Sequence, residues 1–173
     1  MLKSRIIAVL NIYNGTVVQS INFKTYLPIG KPKIAIDYLD SWGIDEIVLL
    51  NIDNNKTSKN MFYKNLADYT KNCQTPIAAG GGVSKIGDIE KIISNGADKV
   101  IINTYAHNNP TIIRDGEKLF GKQAIVASID VKKINNQYVV FTHSGRQKID
   151  LNFKTIISQA QDNGAGELLI NSI

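Results

Sequence analysis

Short β-branched runs alternate along this chain with stretches whose apolar residues recur at helical spacing, the pattern of a parallel α/β fold. The alternation predicts strands at "RIIAVLN" (5–11), "EIVLLNI" (46–52), "PIAAG" (76–80), "KVIINT" (99–104), "AIVASIDV" (124–131) and "ELLINS" (167–172). Helices are expected between them, near 31–42, 58–73, 85–95, 110–120 and 151–163. In the first helix Ala35, Tyr38, Leu39 and Trp42 share a face, and Gly43 stands where a C-cap belongs. Phe62, Leu66, Tyr69 and Cys73 make the same stripe in the second. Such stripes are helix faces packing on a sheet, a better explanation than a cofactor box.

Two connections are themselves β-like. "NGTVVQSINF" follows the first strand, and "INNQYVVFTHSGR" follows the fifth, with Asn135-Asn136 supplying a hairpin turn. The segments also match at a nearly constant offset: Asn11 falls on Asp130, and "WGIDEIVLLN" falls on "NGAGELLINS". This points to a half-barrel repeat, with residues 1 to about 119 as the first copy and about 120–173 as the start of the second. A closed (β/α)8 TIM barrel takes about 250 residues. Six predicted strands in 173 residues therefore read as one incomplete barrel domain, cut after its sixth strand.

Composition narrows the field without changing this picture. The chain is 43% hydrophobic and 20% charged, and no apolar run approaches the roughly 20 residues of a membrane span. A cytoplasmic protein without membrane attachment is expected. The net charge of +5 comes from scattered lysines with no basic run interleaved with aromatics, so no nucleic-acid groove is expected. A lone Cys73 excludes a disulfide framework, and His107 and His143 lack acidic neighbours at ligand spacing, so neither metal nor cofactor is expected.

In barrels of this kind, chemistry sits where strands end. The candidates there are Asn11, Asn51, Gly80-Gly81-Gly82, Asn103-Thr104, Asp130 and Ser172. "AAGGGVSK" runs from a strand into a helix, where glycines permit close approach and helix-start amides suit a phosphate; an unliganded tight turn is the alternative. Asn103 and Thr104 offer an amide and a hydroxyl to the same anion. Asp130, leaving the buried run "IVASI", is placed for acid–base work or, alternatively, for bonding the amides of the following hairpin. Arg5, Glu46, Lys99 and Glu167 open predicted strands one, two, four and six, so they would ring the opposite mouth, as a stabilising ion-paired plug or as a gate.

With these residues in place, the chain resembles the cyclase subunit of imidazole glycerol phosphate synthase, the HisF family of the histidine pathway. The resemblance rests on "RIIAVLN", "GTVVQSINF", "AGGGV", "GADKVIINT", "FGKQAIVASIDVK" and "GAGELLINSI", and it covers about the first two-thirds of a family member. It implies a barrel that receives ammonia from a glutaminase partner and acts on a phosphorylated small molecule. It implies an acid–base pair of aspartates ending strands one and five, of which Asp130 matches the second and Asn11 departs from the first. A lysine of the mobile segment after strand one falls on Gln19, and an aspartate ending strand two falls on Asn51. The first phosphate site maps to Gly81, Gly82, Asn103 and Thr104, and the ammonia gate to Arg5, Glu46, Lys99 and Glu167. Asp98 matches a residue that meets the glutaminase. A kept gate beside a broken acid–base pair implies a divergent member, of the type that accompanies surface-polysaccharide genes and amidates sugars. An ordinary histidine-pathway cyclase–lyase and a non-catalytic activator of a glutaminase remain as alternatives.

Overall fold

A computed structural model of the protein describes residues 4–53 and 55–173. They form a mixed α/β fold with parallel strands, in two compact units: Met1–Gly82 with Glu90–Val100, and Val83–Ile89 with Ile101–Ile173.

The first unit opens with an antiparallel meander of β1 (Ile7–Tyr13), β2 (Thr16–Ile21) and β3 (Thr25–Gly30). Then come α1 (Pro32–Ser41), β4 (Glu46–Asn51), α2 (Lys56–Thr70) and β5 (Ile77–Gly80), with the last turns of α3 (Ile86–Ser94) and the first residues of β6 (Lys99–Ile102). Its strand order is β3-β2-β1-β4-β5, with β1, β4 and β5 parallel. Asn14 and Gly15 make the first hairpin because both adopt positive φ, 48° and 73°, as a type I′ turn requires. β4 is buried almost throughout, as a parallel strand covered on its faces should be. Ile36, Ile47, Leu49, Phe62, Leu66 and Ile77 form the core, each buried apolar side chain contributing about 1.5–3 kcal/mol.

The second unit holds the end of β6, a short α4 (Thr104–Asn108), α5 (Thr111–Phe120), β7 (Ile125–Ile134), β8 (Gln137–Thr142), β9 (Gln147–Lys148), α6 (Phe153–Asp162) and β10 (Glu167–Ser172). β7, β8 and β9 are antiparallel neighbours, and β10 lies parallel to β7. Ile129, Val131, Val140 and Ile156 are its packed centre, with Phe153 and Leu168 against them. Within neither unit does the described strand path close on itself.

Each hairpin-bearing strand pairs antiparallel with its own hairpin and parallel with a later strand, and in the two parallel ladders Asn11 and Asp130 hold matching places relative to Glu46 and Glu167. Asn11 of β1 pairs with Val18 of the hairpin and Leu50 of the next parallel strand. Asp130 of β7 pairs with Phe141 and with Asn171. Several expectations shift here. Asn11 and Asp130 lie inside strands rather than at their ends, because each ladder continues into its hairpin. The fourth strand stops at Ile102, so Asn103 precedes a helix that Thr104 opens. Arg5 lies just ahead of β1 instead of opening it. Gln19 is no loop residue: it pairs with Leu27 inside β2, with its side chain exposed. The second helix ends at Thr70, so Cys73 falls beyond it, its thiol donating to the Thr75 carbonyl oxygen at 3.4 Å.

Three helices stop in one way. After α1, Gly43 N–H donates to Asp40 O and Ile44 N–H to Leu39 O; after α3, Gly96 donates to Ile93 O and Ala97 to Ile92 O; after α6, Gly164 donates to Gln161 O and Ala165 to Ala160 O. These are Schellman closures, with glycines at φ of 70°, 94° and 97°. Each is followed, three residues past its glycine, by the charged residue that opens the next strand: Glu46, Lys99 and Glu167.

Candidate functional site

Asp130 is 6% exposed in the centre of the second unit's sheet. Its two carboxylate oxygens accept separate amide donors: Asn103 Nδ2 reaches Oδ2 at 3.0 Å, and Asn171 Nδ2 reaches Oδ1 at 3.0 Å. Asn103 Nδ2 also lies 3.4 Å from Ser128 Oγ. A buried carboxylate needs such donors, since desolvation without them costs several kcal/mol. The alternative in which Asp130 served only the hairpin amides does not describe these contacts. Asn171 carries no motif of its own. It could have been found only by extending the repeat, because it occupies the position corresponding to Leu50.

Thr104 is tied into the same region through its hydroxyl, which accepts the His143 N–H at 3.3 Å. His107 lies behind β7 among Ala127, Ile156 and Ala160. Burial holds its imidazole below the ordinary histidine value, while the Ser128 backbone and the Asp130 charge pull the other way. Its Nε2 and the Asn103 Oδ1 are buried with no hydrogen-bond partner among the described residues.

In the first unit the glycine turn leaves β5 with Gly81 at φ 124° and Gly82 at φ 65°. A Cβ on Gly81 would stand 2.2 Å from the Asn51 carbonyl oxygen, so only glycine lets the two strand ends approach. Asn51 is 5% exposed and its Oδ1 is buried without a partner among the described residues. Beside it a cavity of roughly 110 Å³ opens between Ile12, Thr57, Met61, Phe62 and Tyr69, with none of the turn glycines in its lining. Asn11 is half-buried in β1.

At the opposite strand ends, Lys99 Nζ donates to Glu46 Oε2 at 2.8 Å, the lysine side chain 14% and the glutamate 3% exposed. Arg5 is exposed, and Glu167 is half-buried at the start of β10 in the other unit. Asp98, exposed beside Lys99, secures a strand start, its carboxylate accepting the Ile77 N–H at 2.8 Å where β5 begins. Asp45 does the same for Ile6 at 2.7 Å. At the corresponding third position Gly166 replaces the acid, since a Cβ there would lie 2.2 Å from Lys122 O. Among the described residues no cluster of histidine, cysteine or acidic side chains could hold a metal ion, and no helix is long and apolar enough to cross a membrane.

Comparison with known proteins gives these residues a context. The chain is 36% identical over 173 residues to a protein of Vibrio vulnificus (strain YJ016) that carries the provisional name imidazole glycerol phosphate synthase subunit hisF2. The alignment covers all of this chain and 64% of that relative, so the chain spans less than two-thirds of its length. Residues 5–173 also match the family described as histidine biosynthesis protein. With the match running from Arg5 to the last residue, the chain belongs to the histidine biosynthesis protein family and, within it, is similar to the HisF type.

Proposed function

We propose that this chain works as a HisF-type synthase subunit that takes ammonia from a glutaminase and delivers it to a phosphate- or nucleotide-linked sugar. The observation that carries the reading is the contrast between Asn11 and Asp130, which hold matching places in their parallel ladders, opposite Leu50 and Asn171. Asp130 is a buried carboxylate with a donor on each oxygen, held in place as a group that can accept a proton during turnover. Asn11 has the size of an aspartate but cannot accept and return a proton near neutral pH. Loss of one member of an acid–base pair typically costs roughly a hundred- to ten-thousand-fold, about what would silence a cyclase step that needs both.

The remaining assignments follow. Gly81 and Gly82 of the first unit and Asn103 and Thr104 of the second are each assigned to phosphate, Gln19 and Asn51 to the rest of the substrate, and Arg5, Glu46, Lys99 and Glu167 to an ammonia gate. Asp98 faces the glutaminase. The Glu46–Lys99 pair supports a gate because it is a closed ion pair that an exchange of partners could open. The name of the Vibrio relative favours a second reading, an ordinary imidazole glycerol phosphate synthase cyclase.

One assay separates the two. The full-length protein is mixed with its glutaminase, glutamine or ammonia, and the histidine-pathway intermediate. Little imidazole glycerol phosphate is expected, with a rise of at least about tenfold on Asn11→Asp. Efficient turnover by the unaltered protein, with no gain from Asn11→Asp, would overturn the redirected function in favour of the ordinary cyclase.

A further inference from the structure

We propose that Lys59 and Tyr63, one turn apart on α2, are positioning residues that aim the backbone amides of the glycine turn at a bound phosphoryl group. This rests on reading Gly81–Gly82 as part of the phosphate grip. Lys59 Nζ donates to the Gly82 carbonyl oxygen at 2.7 Å, and Tyr63 Oη donates to the Gly81 carbonyl oxygen at 3.0 Å. Consecutive carbonyls are thus drawn toward one helix.

The covalent geometry then sets the other side. The peptide bonds here are trans, so the N–H of Gly82 points opposite the Gly81 carbonyl, and the N–H of Val83 opposite the Gly82 carbonyl. Holding both oxygens on α2 turns two successive N–H groups away from it, the arrangement of an anion-binding nest.

The clamp is braced rather than accidental. Tyr63 is 2% exposed. The Lys59 ammonium lies 5.6 Å from the centre of the Tyr63 ring, a cation–π distance. The aliphatic stem of Lys59 runs along the turn, so a Cβ on Gly82 would meet its Cδ at 3.2 Å. α2 itself starts firmly: Asp53 Oδ1 accepts the Asn55 N–H at 3.0 Å, and Asn55 Oδ1 caps Thr57 N–H at 2.8 Å. No lysine lies within the "AAGGGV" stretch, so the charge comes from a helix well upstream in the chain.

Titration of the whole chain with inorganic phosphate, followed through the backbone amide signals of Gly82 and Val83, tests this. Saturable shifts of both signals are expected in the unaltered protein. Lys59→Met should weaken phosphate about tenfold, the size of one charge-assisted hydrogen bond. Tyr63→Phe should weaken it by a smaller factor, Lys59→Arg should restore most of the affinity, and the melting temperature of Tyr63→Phe should stay within a few degrees. If phosphate binds, and Gly82→Ala abolishes it while Lys59→Met and Tyr63→Phe leave the dissociation constant unchanged, the positioning role is wrong and the phosphate grip stands. If the Gly82 and Val83 signals of the unaltered protein do not move, the grip itself fails and the positioning role with it.

Discussion

At the scale of single residues, amides and carbonyls do much of the work usually given to charges. Asp130 is held by Asn103 and Asn171, not by a cation, among the described residues. Asp40 shows how far one carboxylate can reach: its Oδ1 accepts Thr75 Oγ1 at 2.7 Å, Thr75 N–H at 2.8 Å and Gln74 N–H at 3.1 Å. The Thr75 hydroxyl first, then the Thr75 and Gln74 amides, hold its carboxyl below the usual carboxylate value. A depressed folded value stabilises the fold above the unfolded carboxylate pKa of about 3.9, and that contribution is lost as the pH falls through the folded value. Asp40→Asn should therefore lower the melting temperature at about pH 7, with the gap to the unaltered protein narrowing below about pH 4. A gap independent of pH would show that hydrogen-bond geometry alone matters. None of these partners was legible in the sequence, because Asp40 and Thr75 are joined only when α1 and the approach to β5 pack together.

At the scale of elements, one device recurs. A glycine closes the helix by a Schellman motif, and a charged residue opens the next strand, at Gly43 and Glu46, Gly96 and Lys99, Gly164 and Glu167. This much was readable, since helix stop and strand start are local patterns. The pairing of Glu46 with Lys99 was not, because it depends on the order β4-β5-β6 rather than on spacing in the chain. Removing one partner of a buried ion pair leaves the other charge uncompensated, at a cost of about 3–5 kcal/mol. Lys99→Met should destabilise the protein by about 3 kcal/mol in urea unfolding, and the double change Lys99→Met with Glu46→Leu should recover part of the loss. A loss in the double variant equal to the sum of the losses from Lys99→Met and Glu46→Leu alone would mean the pair contributes nothing as a pair. Strand ends lie beyond the hydrophobic runs for a related reason. Hydrophobicity stops near Val131, but hydrogen bonding carries β7 on to Ile134 as an exposed hairpin arm.

At the scale of the whole molecule, the chain shows apolar side chains that its own packing leaves uncovered. Ile7 and Val9 stand on one face of β1 at 42% and 45% exposure, Ile170 on β10 at 50%, and Trp42 after α1 at 71%. Surfaces of this kind bind hydrophobic probes. The chain of 173 residues should enhance the fluorescence of anilinonaphthalene sulfonate, and Val9→Thr with Ile170→Thr should reduce that signal without loss of helical circular dichroism. An unchanged signal would place the probe elsewhere. By itself, the sequence determined the types and order of the main elements, the two hairpins, the glycine stop at Gly43 and the family, because turn chemistry, helical periodicity and motif identity are local. Only the tertiary structure decided that Asn103 and Asn171 close on Asp130, that Lys59 and Tyr63 grip the glycine turn, and that Thr104 begins a helix. The first two depend on register between segments distant in the chain, and register is set by the packing of whole strands and helices, which no local pattern encodes.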